Sequence, residues 1–350
     1  MAQSRDVYLG DMHQRQGVFR LWERQRNRKE VHWLIECFAE TLGVFLYVFP
    51  GVGSTLGFIL GGILKESGFS SLFQIGFAYA LGILFALGIA AGTSGGHFNP
   101  AVTIVHVIFR KFPIGKAFRY IVAQIFGGYL ACMLVYYQWR PLIHQMEEGL
   151  AAAGAEALMF TPNGPPGAFA LYLLPGMAHG SVFLNEFVCS FFVALVIWAA
   201  GDPTNMVITP ALAAPAVALS YAAAIWSFAT PGVALNTARD LGGRLWSLTI
   251  WGLPAGGGSY AAIAALTNIP ATIFAVVLYE LFLVDSDRLV TREALEFAHL
   301  AHGNRRLVHK DVHPTSDANT IEQGHSHSTH DSGKASIEAY EVAPEMQRRK

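Results

Sequence analysis

Six stretches of this 350-residue chain are apolar over close to the length a helix needs to cross a bilayer: 33–49, 72–91, 117–137, 182–200, 207–228 and 260–284. Crossing the hydrocarbon takes about 20 residues of helix. The charges leave these runs alone. Charged residues are 14% of the chain, against a usual share of about 25%. They crowd into the first thirty residues and the last sixty-five. The chain therefore reads as an all-α membrane protein with membrane lipids as its surroundings.

The ends bound the functional classes. A net charge of -1 gives no argument for nucleic acid as a partner. The arm 1–30 is basic through Arg15, Arg20, Arg24, Arg26, Arg28 and Lys29. Just before an apolar span, such an arm marks the cytosolic side. No cleavable secretory signal is expected, because the first apolar run begins near Val31 and is long enough to span. Cys37, Cys132 and Cys189 each lie inside an apolar run. They read as small buried hydrophobes, not as a disulfide framework or a metal site.

Two more apolar segments, 99–109 and 236–253, are too short to span alone. Each follows a Gly-containing stretch, SGGHF or TPGVAL, and each sits between full spans. Short segments at matching places in two halves point to re-entrant half-helices and a conduction site. The halves do match. AETLGVF with Glu40 precedes a plain span and HFNPAVT; LNEFVCSFF with Glu186 precedes a plain span and ALNTARD. Each half is three spans plus one half-helix. Three is odd, so the second copy lies upside down relative to the first.

This pattern predicts three regions: a cytosolic arm 1–30, a channel domain 31–285 with repeats 31–137 and 182–284, and a cytosolic tail 286–350. Arg110, Lys111, Lys116 and Arg119 fall on the arm's side. The opposite side has little beyond Arg140, in a loop with Glu147, Glu148 and Glu156. Both termini are thus expected in the cytosol. TREALEFAHLAH is expected as one amphipathic helix, and the polar chain beyond Asn304 as disordered. His325, His327 and His330 suit a solvated tail better than a metal site, since no fold preorganises them.

An Asn at the head of a mid-membrane half-helix has a definite chemistry. Helix N-termini carry unpaired N–H donors and partial positive charge. Two such ends meeting repel cations and protons, while the amides of Asn99 and Asn236 can donate to a passing hydroxyl. Arg239 follows Asn236 by three residues, so it can face the same lumen. An intramembrane guanidinium is otherwise costly. Glu40 and Glu186 must also be paired or hydrogen-bonded. Their equivalent places in the repeats favour acceptors for stray loop N–H groups over a general acid and base. No HExxH or GxSxG motif supports an enzyme. Ser94 and His97 are close in sequence without specifying catalysis.

SGGHFNPAVT and LNTARDLGGRL resemble the two signature loops of the major intrinsic protein family, the aquaporins and glycerol facilitators, within a likeness spanning about 31–285. The Arg239–Asp240 pair resembles the glycerol-facilitator branch. The resemblance implies six transmembrane helices and two half-helices around one pore per subunit, usually in homotetramers, with no cofactor. It implies passive passage of glycerol or other small uncharged solutes, with water, in a plasma membrane. Asn99 and Asn236 become the pore asparagines, with Gly96, His97, Phe98, Thr237 and Asp240 as pore-loop residues. Thr237 stands where the family usually has Pro. Counted from the two asparagines, the family's filter falls on Tyr79, Ala224, Val233 and Arg239. A small residue at 224 would widen it for a polyol. A water or hydrogen peroxide channel, an ion-coupled transporter and a closed-pore structural protein remain as alternatives.

Overall fold

A computed structural model describes residues 7–13 and 15–309 of the chain. The histidines at 325, 327 and 330 lie outside the described residues. Among those described, the secondary structure is helical throughout, with no strand. Six helices are long and apolar enough to cross a membrane. They are α1 (Lys29–Leu64), α2 (Leu72–Ser94), α4 (Ile114–Ala152), α5 (His179–Ala200), α6 (Pro210–Phe228) and a sixth, Tyr260–Phe282. The sixth is divided at Thr267 into α8 (Tyr260–Leu266) and α9 (Asn268–Phe282). The half-helices are α3 (Pro100–Arg110) and α7 (Thr237–Trp251). Beyond the spans, α10 (Arg292–His309) takes up the expected amphipathic segment and continues past Asn304, where disorder was expected; the tail beyond His309 lies outside the described residues.

Two spans outrun their apolar signal. The first was expected over 33–49, yet α1 continues to Leu64 with Pro50 inside it. The helical period carries on past the proline: Val48, Val52, Leu56, Ile59 and Leu60 are all buried. Burying that stripe outweighs the missing backbone N–H of one proline. The third span likewise runs to Ala152 rather than ending at 137, with Ile143, Met146 and Leu150 buried at helical spacing. Only the remainder, 153–178, is a loop, broken by short turns at Glu156–Leu158 and Pro165–Ala168.

The packing is that of two interlocked repeats. In the first, α1 packs on α2 and α4; in the second, α5 packs on α6 and α9. Each half-helix then crosses over, α3 against α9 and α7 against α4. The α4–α7 crossing is close because glycine meets glycine. A Cβ on Gly128 would sit 2.7 Å from the Ala238 carbonyl oxygen, and one on Gly242 would sit 2.7 Å from the Tyr129 nitrogen. Small residues permit such approach between helices in lipid. On the outside, large apolar side chains such as Phe85, Ile89, Phe118, Phe126 and Leu184 are exposed. That is the surface a bilayer covers.

Candidate functional site

Asn99 and Asn236 are the N-caps of α3 and α7. The Asn99 Oδ1 accepts from the Ala101 N–H at 3.0 Å, and the Asn236 Oδ1 from the Ala238 N–H at 2.8 Å. The amides are then exchanged between repeats. Asn99 Nδ2 donates to the Leu235 carbonyl (3.1 Å), and Asn236 Nδ2 donates to the Phe98 carbonyl (2.8 Å). Each bond ties one asparagine to the residue just before the other. Each NH2 group has two hydrogens; the second on Asn236 remains for the lumen, and the second on Asn99 is beside the Tyr221 hydroxyl. The two positive helix ends therefore meet at fixed separation in the interior.

The residues before the asparagines are held in an uncommon conformation. Phe98 has φ +46° and Leu235 has φ +59°. For a bulky side chain this left-handed geometry costs about 1–3 kcal/mol. The two glutamates hold it. Glu40 accepts from the Phe98 N–H (2.8 Å), the His97 N–H (3.1 Å), the Ser94 hydroxyl (2.6 Å) and Gln124 Nε2 (2.7 Å). Glu186 accepts from the Ala234 N–H (2.6 Å), the Leu235 N–H (2.8 Å) and the Ser190 hydroxyl (3.2 Å). Both carboxylates are fully buried. Every contact is acceptance from a loop, a neighbouring helix or, for Ser190, the same helix one turn on, with no pair of carboxylates facing a reaction space. Ser94 and His97 do not pair: the hydroxyl serves Glu40, and the imidazole Nδ1 lies 3.2 Å from Thr103 Oγ1.

Arg239 is buried within the protein and does not reach out to headgroups. Its Nη1 donates to the Phe169 carbonyl (2.9 Å) and its Nη2 to the Ala168 carbonyl (3.0 Å). Nε (3.2 Å) and Nη2 (2.9 Å) also reach the Tyr79 hydroxyl. The loop 153–178 thus folds back to supply acceptors. Asp240 is held by Arg244, with Nη2 to Oδ1 at 2.7 Å and Nε to Oδ2 at 3.1 Å. Arg244 in turn donates to the Leu171 and Gly256 carbonyls, fastening that loop over α7.

Two cavities lie along this axis. One, about 240 Å³, is walled by Tyr79, Val233, Arg239, Asn236 and Ile225 among others. The second, about 80 Å³, lies on the α3 side and is lined by Gly96, His97, Phe98 and Asn99. Three of the four expected filter residues share the larger cavity. Ala224 is not part of its wall, whereas its neighbour Ile225 is. One residue turns a helix face by about 100°, so counting along the chain missed the wall by one position. Among the described residues, no group of three or more His, Cys, Asp or Glu could hold a metal.

A profile of the family described as major intrinsic protein matches residues 27–252. The chain belongs to the major intrinsic protein family. It is an integral, multi-pass membrane channel of the aquaporin type, not an enzyme. Aquaporin-3 of Laccaria bicolor is 60% identical over 302 residues, covering 86% of this chain and 92% of that one. Another aquaporin of the same fungus is 58% identical, covering 91% and 98%. Aquaglyceroporin-2 of Rhizophagus irregularis is 35% identical over 61% of this chain and 65% of its own. Among solved structures, the aquaglyceroporin from Plasmodium falciparum matches with a TM-score of 0.60 at 24% identity, over 71% of this chain and 96% of that chain. At that identity the likeness speaks for the fold alone.

Within this aquaporin, Thr237 has a partner the sequence reading lacked. Its hydroxyl donates to Asn268 Oδ1 at 2.7 Å, and both residues are buried. Asn268 begins α9, the lower part of the interrupted sixth span. The threonine thus pins the head of α7 to the last span by a hydrogen bond where the family usually relies on a proline ring. Arg244, Gln124 and Asn268 were all passed over. The signal was available in each case: a charge or an amide inside an otherwise apolar span must have a partner.

Proposed function

We propose that this channel conducts glycerol or other small uncharged solutes passively, with water, and excludes ions and protons. One observation carries the reading: the character of the larger cavity's wall. Apolar side chains (Leu72, Ile75, Ile225, Val233) line the same cavity as the donors Arg239 and Asn236. A polyol has the matching form, a carbon backbone edged with hydroxyls. The paired positive ends of α3 and α7 oppose cations and protons at the centre. The name of the Rhizophagus relative, an aquaglyceroporin, supports the same class.

A second reading has its own observation. The Tyr79 hydroxyl accepts from two Arg239 nitrogens, and Ile225 rather than Ala224 faces the lumen. Both narrow the ring and favour a channel mainly for water or hydrogen peroxide. Around either pore, the arm 1–30 and tail 286–350 lie in the cytosol, the channel domain spans 31–285, the membrane is the plasma membrane, and the assembly is a homotetramer. Purified protein in liposomes, followed by stopped-flow light scattering, tests the solute. Fast re-swelling in glycerol supports the polyol channel; fast shrinkage without re-swelling supports the water channel and removes the first reading.

A further inference from the structure

The two cavities share four wall residues: Tyr47, Ile83, Tyr221 and Asn236. These mark a septum between the half-pores, beyond the ring of Tyr79, Val233 and Arg239, which lies within the larger cavity. Its tyrosines come from different repeats. Tyr47 stands on α1 seven residues after Glu40, two turns along the face that supports the first loop. The matching position seven after Glu186 is Val193, so here the internal repeat is broken. Tyr221 stands on α6, four residues before Ile225 and four after Val217, all three on the lumen face.

Among the residues that line both cavities, the Tyr47 hydroxyl is the one without a hydrogen-bond partner. Tyr47 is 4% exposed, and its oxygen is buried with no hydrogen-bond partner among the described residues. Tyr221, Tyr79, Arg239 and Cys132 are its charged or ionisable neighbours, and Tyr221 also neighbours the Asn99 amide. Buried hydroxyls are nearly always satisfied. One left unpaired at the septum, covered while the two cavities are separate, gains a partner in whatever opens the septum on its way through. Asn236 lines both cavities, which puts its spare amide hydrogen at the same crossing.

We propose that Tyr47, with Tyr221 beside it, is a specificity-determining residue: its hydroxyl hydrogen-bonds the hydroxyls of solutes crossing the septum, so the channel sorts solutes there as well as at Arg239. The proposal rests on the polyol reading above. A polyol gains a partner at the point where it must shed its last water, whereas a solute without hydroxyls gains none. The septum then selects by hydroxyl content, while the Tyr79–Arg239 ring selects by girth.

The test is Y47F in the full-length channel, reconstituted beside the wild type and assayed for water, glycerol and erythritol. The variant keeps the ring and removes only the hydroxyl. Glycerol flux is expected to fall about three- to tenfold, the range of one lost hydrogen bond, and erythritol flux further, so that the polyol-to-water ratio falls even though water, which pairs with the same hydroxyl, also slows. Y47L, which also opens space, is expected to lose polyol flux too. Y47F equal to wild type, or Y47L raising the flux of every solute, overturns the proposal, since the tyrosine would then only narrow the pore. Y221F, with Tyr47 in place, gives a second reading if Y47F does not fold; an unchanged polyol-to-water ratio there counts against the septum. Wild type passing neither polyol brings down the polyol reading itself. Wild type passing polyols with an indifferent Y47F brings down the septum alone.

Discussion

Replacing Thr237 by Pro would restore the family's usual residue, and the structure says this should weaken the protein. Pro at the first helical position brings a fixed φ and gives up an N–H that is an orphan anyway. Where the backbone already fits, that stabilises by about 0.4–1 kcal/mol. The loss is larger. The Thr237 hydroxyl bonds Asn268 Oδ1 at 2.7 Å, Asn268 is fully buried, and its Nδ2 already has no partner among the described residues. Removing the hydroxyl leaves the whole amide unsatisfied, which costs about 1–3 kcal/mol. The net expectation is destabilisation by about 1–2 kcal/mol. Replacing both partners with apolar groups of similar shape is nearly neutral, so Thr237→Pro combined with Asn268→Leu should recover the loss. Thermal unfolding in detergent of the four proteins of this cycle gives the coupling. Thr237→Pro as stable as wild type with Asn268 present, or a coupling below about 0.5 kcal/mol, would refute the argument.

The other expectations are simpler. Glu186→Ala strands the Ala234 and Leu235 N–H groups and should cost about 2–6 kcal/mol at about 1–3 per donor; Glu186→Gln should be milder, and thermal melts rank them. Arg244→Ala leaves Asp240 buried without its cation, a loss of about 3–5 kcal/mol, and should also free the loop 153–178 for proteolysis; a protease-resistant loop in that variant would contradict the fastening role. Asp202 lies in the turn between α5 and α6. Burial raises its pKa, but the Thr204 N–H and hydroxyl (2.8 Å each), the Tyr279 hydroxyl (3.0 Å) and the charge of Arg288 outweigh this and hold it below 3.8. A depressed folded value means its contribution is full above the ordinary carboxylate range and lost as pH falls through the lower folded value. Melting temperature against pH should therefore drop less steeply below about pH 4 in Asp202→Asn than in wild type; parallel curves would exclude the group.

The sequence by itself determined the six spans, the two half-helices, the inverted repeat and the pairs Asn99–Asn236 and Glu40–Glu186. These are legible because hydrocarbon is an unforgiving solvent: it demands apolar runs of a set length and makes every buried polar residue conspicuous. Arg244, Gln124 and Asn268 carried the same signal and could have been read from it. Tertiary structure alone decided the rest. The left-handed turns at Phe98 and Leu235 depend on carboxylates 58 and 49 residues away along the chain. The exchange of asparagine amides joins residues 136 and 138 apart. Whether Ala224 or Ile225 faces the lumen is a matter of helix rotation, set by packing rather than by the local pattern, since the span is apolar on all sides and gives no periodic cue. For the same reason Tyr47 looked like one more aromatic in an apolar run. Only the meeting of α1, α2, α6 and the head of α7 placed its hydroxyl, without a partner, between the two halves of the pore.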